Sequence, residues 1–345
     1  MQKIKTITGK KYNFFRTTCK TRGYCASTEE KRILITGSLG QIGTELVLAL
    51  RKQYGVKNVI MTDVKKASDK IYQSGPFVYA DVTHLDSLEK LIVDNKIDWL
   101  IHNAAILSAA GEMNPELAMK INVIGTENCL KLAHRHNLRV FIPSSIAAFG
   151  PTTPRDSTPN TTIMRPTTIY GVTKLYAELL GEFFHNRFGV DFRSLRYPGI
   201  ISSETLPGGG TTDYAVDIFY HAILEGRFEC FLEPESTLPM MYMPDCVKGT
   251  IQLITAPKEK ILSKTYNLAA FSFSPRQLGE EIKKHLPHFQ MEYKVQPLRQ
   301  RIADSWPRSL DDTVAREEWG WKNEYDLSGM VKDMLEKLTP KLKDK

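Results

Sequence analysis

The chain has 345 residues, 42% of them hydrophobic and 25% charged, with 46 Lys and Arg against 39 Asp and Glu. That length suits about two domains or one large α/β unit with an added lobe, and the composition excludes an intrinsically disordered chain. No apolar run reaches the roughly 18 residues a membrane span requires. Cys19, Cys25, Cys129, Cys230 and Cys246 form no CxxC pair, against both a zinc ribbon and a disulfide scaffold.

The first 28 residues carry the charge imbalance. They hold Lys3, Lys5, Lys10, Lys11, Arg16, Lys20 and Arg22 and no acid before Glu29. A basic, hydroxyl-rich, acid-poor segment without a long apolar core reads as a mitochondrial transit peptide. Arg22-Gly23-Tyr24-Cys25 resembles a matrix-protease site. The expected address is the matrix, with a cytoplasmic protein bearing a basic tail as the alternative. Residues 29–345 are then formally neutral, so whole-chain charge gives no support to a nucleic-acid surface.

The first strand is read in RILITG (32–37). An amphipathic helix follows, with Ile42, Leu46, Val47 and Leu50 on one side. Between them TGSLGQIG places Gly37, Gly40 and Gly43 at GxxGxxG spacing. In a strand–turn–helix, such glycines give a tight turn, a close approach of backbone to a pyrophosphate, and close helix–strand packing. The helix N-terminus offers free N–H groups to the phosphates. NVIMTD (58–63) reads as the second strand. It ends in Asp63, 20 residues after Gly43, the offset of a carboxylate that holds the adenosine ribose hydroxyls. A carboxylate there favours NAD over NADP, a preference that Lys65 and Lys66 weaken.

Strand-like runs recur at FVYADV (77–82), DWLIHNAA (98–105), VFIPSS (140–145) and VDFRSLRYPGI (190–200), with helical segments between them. This alternation predicts a doubly wound parallel sheet. Asp81 follows the third strand, near the expected adenine. Asn103, Ala104 and Ala105 end the fourth, where small side chains admit the ribose and pyrophosphate. Asn122 falls in a predicted helix. Ser144 and Ser145 end the next strand, and Tyr170 and Lys174 form a YxxxK pair that shares one helical face. A neighbouring ammonium is expected to lower the phenol pKa. Tyr170 then removes a hydroxyl proton and Ser145 stabilises the substrate oxygen.

In order, TGSLGQIG, HNAA, PSSIAAFG, YGVTK and RYPGI resemble the extended short-chain dehydrogenase/reductase superfamily across nearly all of residues 31–335. The resemblance implies a Rossmann-type domain over 29–200 and a smaller, mainly substrate-binding lobe over 201–345, some of whose elements return to the sheet. It implies Ser145, Tyr170 and Lys174 as the catalytic triad, with Asn122 supporting the proton relay. For NAD it implies Gly37, Gly40, Gln41, Ile42, Gly43, Asp63, Asp81, Val82, Asn103, Ala104, Ala105, Tyr170 and Lys174, with Tyr197, Pro198, Gly199 and Ile200 at the nicotinamide end.

HNAAILSAAGE (102–112), IPSSIAAFGPTTP (142–154), PGGGTTDYAVDIFY (207–220) and DSWPRSLDD (304–312) resemble the branch of that superfamily that oxidises the 3-hydroxyl of L-threonine. The expected product is 2-amino-3-ketobutyrate, which links the reaction functionally to a 2-amino-3-ketobutyrate CoA ligase. A threonine zwitterion calls for short polar groups, so Ser108, Thr211 and Thr212 join Ser145 and Tyr170 as expected substrate contacts. Gly208, Gly209 and Gly210 are expected to let that loop close, and Thr212 or Asp213 to cap the helix after it. A homodimer through the YxxxK helix and the one before it is expected by resemblance, with no metal, nucleic acid or membrane partner. The rival readings are an NAD-retaining nucleotide-sugar epimerase and a non-catalytic dinucleotide-binding subunit.

Overall fold

The computed structural model describes residues 31–206 and 208–343. The transit-peptide reading, with Cys19 and Cys25, lies outside them. The first half of the chain alternates broadly between strand and helix. β1 (Ile33–Thr36) leads to α1 (Gln41–Tyr54), β2 (Val59–Asp63) to α2 (Asp69–Ser74), and β3 (Phe77–Tyr79) to α3 (Leu85–Asp94). β4 (Trp99–His102) is followed by α4 (Ser108–Met113), α5 (Pro115–Met119) and α6 (Gly125–Arg135). β5 (Arg139–Phe141) and the two-residue β6 (Ser144–Ser145) precede the long α7 (Ile169–Phe188), and β7 (Asp191–Tyr197) follows it.

The remaining elements are β8 (Gly199–Ile201), α8 (Tyr214–Leu224), β9 (Arg227–Cys230), β10 (Leu238–Tyr242), α9 (Met243–Thr255), β11 (Thr265–Asn267) and β12 (Phe271–Phe273). After them come α10 (Pro275–His285), β13 (Gln290–Tyr293), α11 (Pro297–Asp304), α12 (Thr313–Trp319) and α13 (Leu327–Lys343).

The main sheet runs β11-β7-β5-β4-β1-β2-β3, with β6 beside β7, and all its pairs are parallel. Strands β1, β2 and β4 are buried at every residue, as expected of a sheet covered on both faces. Alternate side chains serve opposite cores. Ile33, Ile35, Val59 and Met61 meet Leu46, Val47 and Leu50 of α1 on one face. Leu34, Ile60, Leu100 and Val140 meet Leu88, Ile92, Leu130 and Leu132 on the other.

The second half divides its service. α9 supplies Cys246, Leu253 and Ile254 to the core under α1, and β11 extends the sheet edge at β7. A third core lies in the lobe, where α8 and α13 bury Tyr214, Ile218, Phe219, Met330 and Met334. The run read as one strand over 190–200 is two. Pro198 has no N–H to give a ladder, and after it β8 joins β10 and β12 in a separate sheet. Among the described residues no helix is long and apolar enough to cross a membrane.

Candidate active site

The carboxyl ends of β1, β2 and β4 converge on the glycine turn. Gly37 has φ +61°, and a Cβ there would stand 2.5 Å from Ala104 N, so the turn presses directly on the backbone of residues 103–104. A Cβ at Gly43 would stand 2.5 Å from Gly37 O, which fixes the close approach of α1. Asp63, at the end of β2, accepts from Leu39 N at 3.0 Å and from Lys65 N at 3.0 Å, so its carboxylate is anchored beside the turn. Asp81 lies beyond the end of β3 and accepts from Thr83 N and Oγ1, both at 2.8 Å. Val82 is buried, and its carbonyl accepts from Asn128.

Both amide atoms of Asn103 and the Gln41 Nε2 are buried without a partner. Buried polar groups are normally satisfied, so these point to a polar ligand. Together with the glycine turn, the open N-terminus of α1 and Asp63, they fit a dinucleotide.

The proton-transfer residues come together on α7 and β6. Thr168 caps α7 by accepting from Gly171 N at 3.1 Å, and Glu112 of α4 accepts from Ile169 N at 2.7 Å. These two contacts fix the first turn, which carries Tyr170. Lys174 Nζ lies 5.5 Å from the Tyr170 ring centre and donates to Pro143 O at 2.7 Å. Ser145 Oγ accepts from Ala147 N at 3.2 Å, and its hydroxyl opposes the rise of the phenol pKa.

The expected lowering of the phenol pKa is not what this arrangement gives. Burial pushes Tyr170 up to about 12, with the Ser145 hydroxyl acting the other way. Burial also pulls Lys174 down to about 8, opposed by Glu178. Both groups are desolvated together, so each favours its neutral form.

Asn122 sits in a single π-turn, Lys120–Ile124, rather than in a regular helix. Such turns recur at functional sites. Its Oδ1 accepts from Ile106 N at 2.8 Å, and its Nδ2 donates to Ile106 O and Thr173 Oγ1, both at 3.1 Å. One side chain thus ties the segment after β4 to α7. A cavity of about 10 Å³, room for about one water, lies behind Lys174 and is lined by His102, Asn122, Thr126 and Thr173.

The residues expected to contact substrate lie on α4 and on a strap that follows β8. Ser108 is buried at the start of α4, next to Leu107, and a Cβ on Gly208 would reach Leu107 Cδ1 at 3.2 Å. Gly111 of α4 packs on Ile169 and Tyr170. Thr211 is buried and its Oγ1 has no partner. Thr212 lays its methyl group against Gly199. The expected cap on α8 is absent: Asp213 turns back and accepts from Gly209 N at 2.8 Å and Gly210 N at 2.6 Å. Tyr197 sends its hydroxyl to Thr250 in the core, so only its backbone remains at the strand end. Pro198, Gly199 and Ile200 follow there, with Ile200 partly exposed.

Several supporting groups escape a reading by motif. Thr36 Oγ1 and His102 Nδ1 share a hydrogen bond at 2.8 Å, and burial together with the Lys174 charge pulls the imidazole down to about 3. Glu178, one turn past Lys174, accepts from Ser144 and pairs with Arg196 at 2.7 Å, and Arg196 continues to Asn267 Oδ1 at 3.1 Å. This buried chain fixes α7 to β6, β7 and β11. Only the i, i+4 relation of Lys174 and Glu178 is visible in the sequence.

Comparison with known proteins agrees with this geometry. A bovine (Bos taurus) mitochondrial L-threonine 3-dehydrogenase is 51% identical over 310 residues, covering 90% of this chain and 83% of the relative. The crystal structure of L-threonine dehydrogenase from Phytophthora infestans is similar at 52% identity with a TM-score of 0.88, over 90% of this chain and 100% of that one. A monomeric L-threonine 3-dehydrogenase from a metagenome is similar at 43% identity with a TM-score of 0.87, over 90% and 99%. Residues 33–269 match the family described as NAD dependent epimerase/dehydratase. With its dinucleotide turn, Asp63 and the Ser145–Tyr170–Lys174 grouping in one fold, the chain belongs to the NAD dependent epimerase/dehydratase family, and NAD is its cofactor.

Proposed function

We propose that this enzyme oxidises the 3-hydroxyl of L-threonine to give L-2-amino-3-ketobutyrate. The observation that carries the reading is identity of about half over 90% of the chain to relatives named for that reaction, with Ser145, Tyr170 and Lys174 all in place. Gly37, Gln41, Asp63 and Asn103 are the groups that would hold NAD, which, when bound, supplies the acceptor for the hydride from C3. Ser145 Oγ donates to the substrate oxygen. Tyr170 first loses its own proton toward Lys174, which the water-sized cavity and Asn122 back, and the phenolate Oη then takes the hydroxyl proton. Ser108, Thr211 and Thr212 supply short polar groups for the substrate ammonium and carboxylate. The 3-keto acid is the substrate of a 2-amino-3-ketobutyrate CoA ligase, which places the two enzymes in one route.

The assay is NADH absorbance with L-threonine. Steady NADH production supports the reading. No NADH with threonine, together with UDP-glucose epimerised without net reduction, refutes it.

The protein is further proposed to be a homodimer in the mitochondrial matrix. The dimer reading rests on an exposed apolar stripe on α7, Val172, Leu179 and Phe183, beside the exposed Ile124. Light scattering of wild type and Phe183→Glu tests it, and a monomeric wild type rejects it. The address rests on the acid-free leader and the mitochondrial bovine relative. A diffuse cytosolic signal from a fluorescent fusion to residues 1–30 rejects it.

A further inference from the structure

The strap between β8 and α8 hangs from two anchors. At its far end, Asp213 holds Gly209 N and Gly210 N, and Arg299 of α11 donates to Gly210 O at 2.8 Å. Between the anchors, Leu206 is 67% exposed. The near anchor comes from the dinucleotide-binding helix. Glu45 of α1 accepts from Ser202 Oγ at 2.5 Å and from Thr205 Oγ1 at 3.2 Å on the same carboxylate oxygen. Ser202 is fully buried, and its Oγ in turn accepts from Glu204 N at 3.0 Å and Thr205 N at 3.1 Å. One carboxylate therefore fixes a turn that four hydrogen bonds define.

Glu45 lies one turn beyond Gln41, the first residue of the helix whose N-terminus would hold the pyrophosphate. Glu45 therefore gives ordering of that helix end a direct hydrogen-bonded route to the strap. α13 and β10 hold the neighbouring residues: Lys341 donates to Ser203 O at 3.4 Å and Glu204 Oε2 at 2.7 Å, and Tyr242 Oη donates to Ser203 Oγ at 3.1 Å. These contacts steady the strap from α13 and β10 rather than from the dinucleotide helix.

We propose that Glu45 is a positioning residue that couples the dinucleotide helix to the substrate strap, so that bound NAD raises affinity for the β-hydroxy amino acid. The substrate named here rests on the proposed function; the coupling between helix and strap does not. Coupling of this kind is reciprocal, so bound substrate tightens NAD by the same factor.

The test compares Glu45→Ala, Glu45→Gln and Ser202→Ala in the full chain. Glutamine keeps the acceptor oxygen and serves as the conservative rescue. At saturating NAD, Glu45→Ala is expected to raise KM for L-threonine about tenfold while kcat changes little, within the usual range of coupling. The NAD Kd measured without substrate should stay within about twofold, since the variant touches no phosphate contact. Glu45→Gln should keep a KM near wild type. Ser202→Ala should also raise KM, and the double variant should fall short of the combined losses of the two, because both remove the shared Glu45–Ser202 bond while Thr205 keeps its own tie to Glu45.

Amide hydrogen exchange gives a readout free of turnover. Adding NAD should slow exchange over residues 202–213 in wild type and Glu45→Gln but not in Glu45→Ala. Unchanged threonine KM in Glu45→Ala, additive losses in the double variant, or equal NAD-dependent slowing in Glu45→Ala would each overturn the proposal. A wild type that makes no NADH from threonine yet shows the Glu45-dependent slowing overturns the substrate and leaves the coupling standing.

Discussion

Two glycine-rich loops border the candidate site, and they are held by different contacts. The turn at residues 37–43 is bound largely through backbone: Gly40 N donates to Gly37 O at 3.1 Å, Ser38 N to Thr62 O at 3.3 Å, and Thr44 N to Gly40 O at 3.0 Å, with Asp63 and the Ser38 hydroxyl adding one side-chain bond each. It presses so closely on residues 103–104 that no Cβ fits at Gly37. The strap at 202–213 is bound through side chains, from Glu45, Ser202, Asp213 and Arg299. A Cβ on Gly209 would meet nothing within 4 Å. Backbone contacts against a packed sheet make a preformed site, whereas side-chain ties over open space can release and re-form. A loop that admits and then encloses a small zwitterion needs the second kind of attachment.

The largest expected effect lies between the two loops. Tyr170→Phe removes the proton acceptor and keeps the ring, so kcat should fall roughly 10³-fold while NAD binding survives. Initial rates and a fluorescence titration measure the two separately, and wild-type turnover would assign the base elsewhere. In wild type the rate should climb with pH through the neutral and alkaline range. The base works deprotonated, and burial holds the Tyr170 phenol at about 12 beside a Lys174 lowered to about 8. The observed limb belongs to the coupled pair rather than to either residue.

Next in size is a direct break of the comparison. Gly37→Ala forces a Cβ into backbone at positive φ, so NAD affinity should fall by about 1–3 kcal/mol or the fold should yield. Gly209→Ala also has positive φ, at +95°, but has free space. It should spare NAD and shift KM for threonine instead. Equal NAD losses in the two variants would erase the distinction drawn between the loops. A smaller effect is expected at Asp63, which the backbone amides of Leu39 and Lys65 already hold in place. Asp63→Asn should weaken NAD about tenfold, the scale of one charge-assisted hydrogen bond, and weaken NADP less. An unchanged preference would reject its ribose role.

The same division decides what could be read from sequence. The sheet, the glycine turn, Asp63 and the Tyr170–Lys174 pair rest on local period and spacing, and the chain displays these directly. The strap's anchors do not: Glu45 and Ser202 lie 157 residues apart, and Thr36 and His102 lie 66 apart. The π-turn at Asn122 depends on its long-range pairing with Ile106, which no helical periodicity signals. Pro198 was visible, yet its consequence, the departure of Gly199–Ile201 to a second sheet, needed β10 as a partner. The rise of the Tyr170 phenol is hidden from the sequence because the charge of Lys174 is evident there and the burial of both groups is not.

Asp213 offers the smallest and most specific probe. Burial lifts its carboxyl to about 6, against the opposing pull of Gly210 N and Gly209 N. Below that pH the group is neutral and accepts from the two strap amides more weakly, so KM for threonine should rise about fivefold as pH falls through 6, the difference between charged and neutral acceptors. Asp213→Asn is neutral at every pH and should hold the higher KM throughout, with that pH limb gone. Stability runs in the opposite sense. A carboxyl whose folded pKa is raised keeps its proton in the native state where the unfolded chain has lost it, so its contribution to stability falls as pH rises from about 4 to about 6. Asp213→Asn should therefore gain stability relative to wild type at pH 7 and much less at pH 4, as read from denaturant midpoints. A KM limb that survives the substitution would move the strap's pH response to another group, and an equal stability change at both pH values would deny the buried charge.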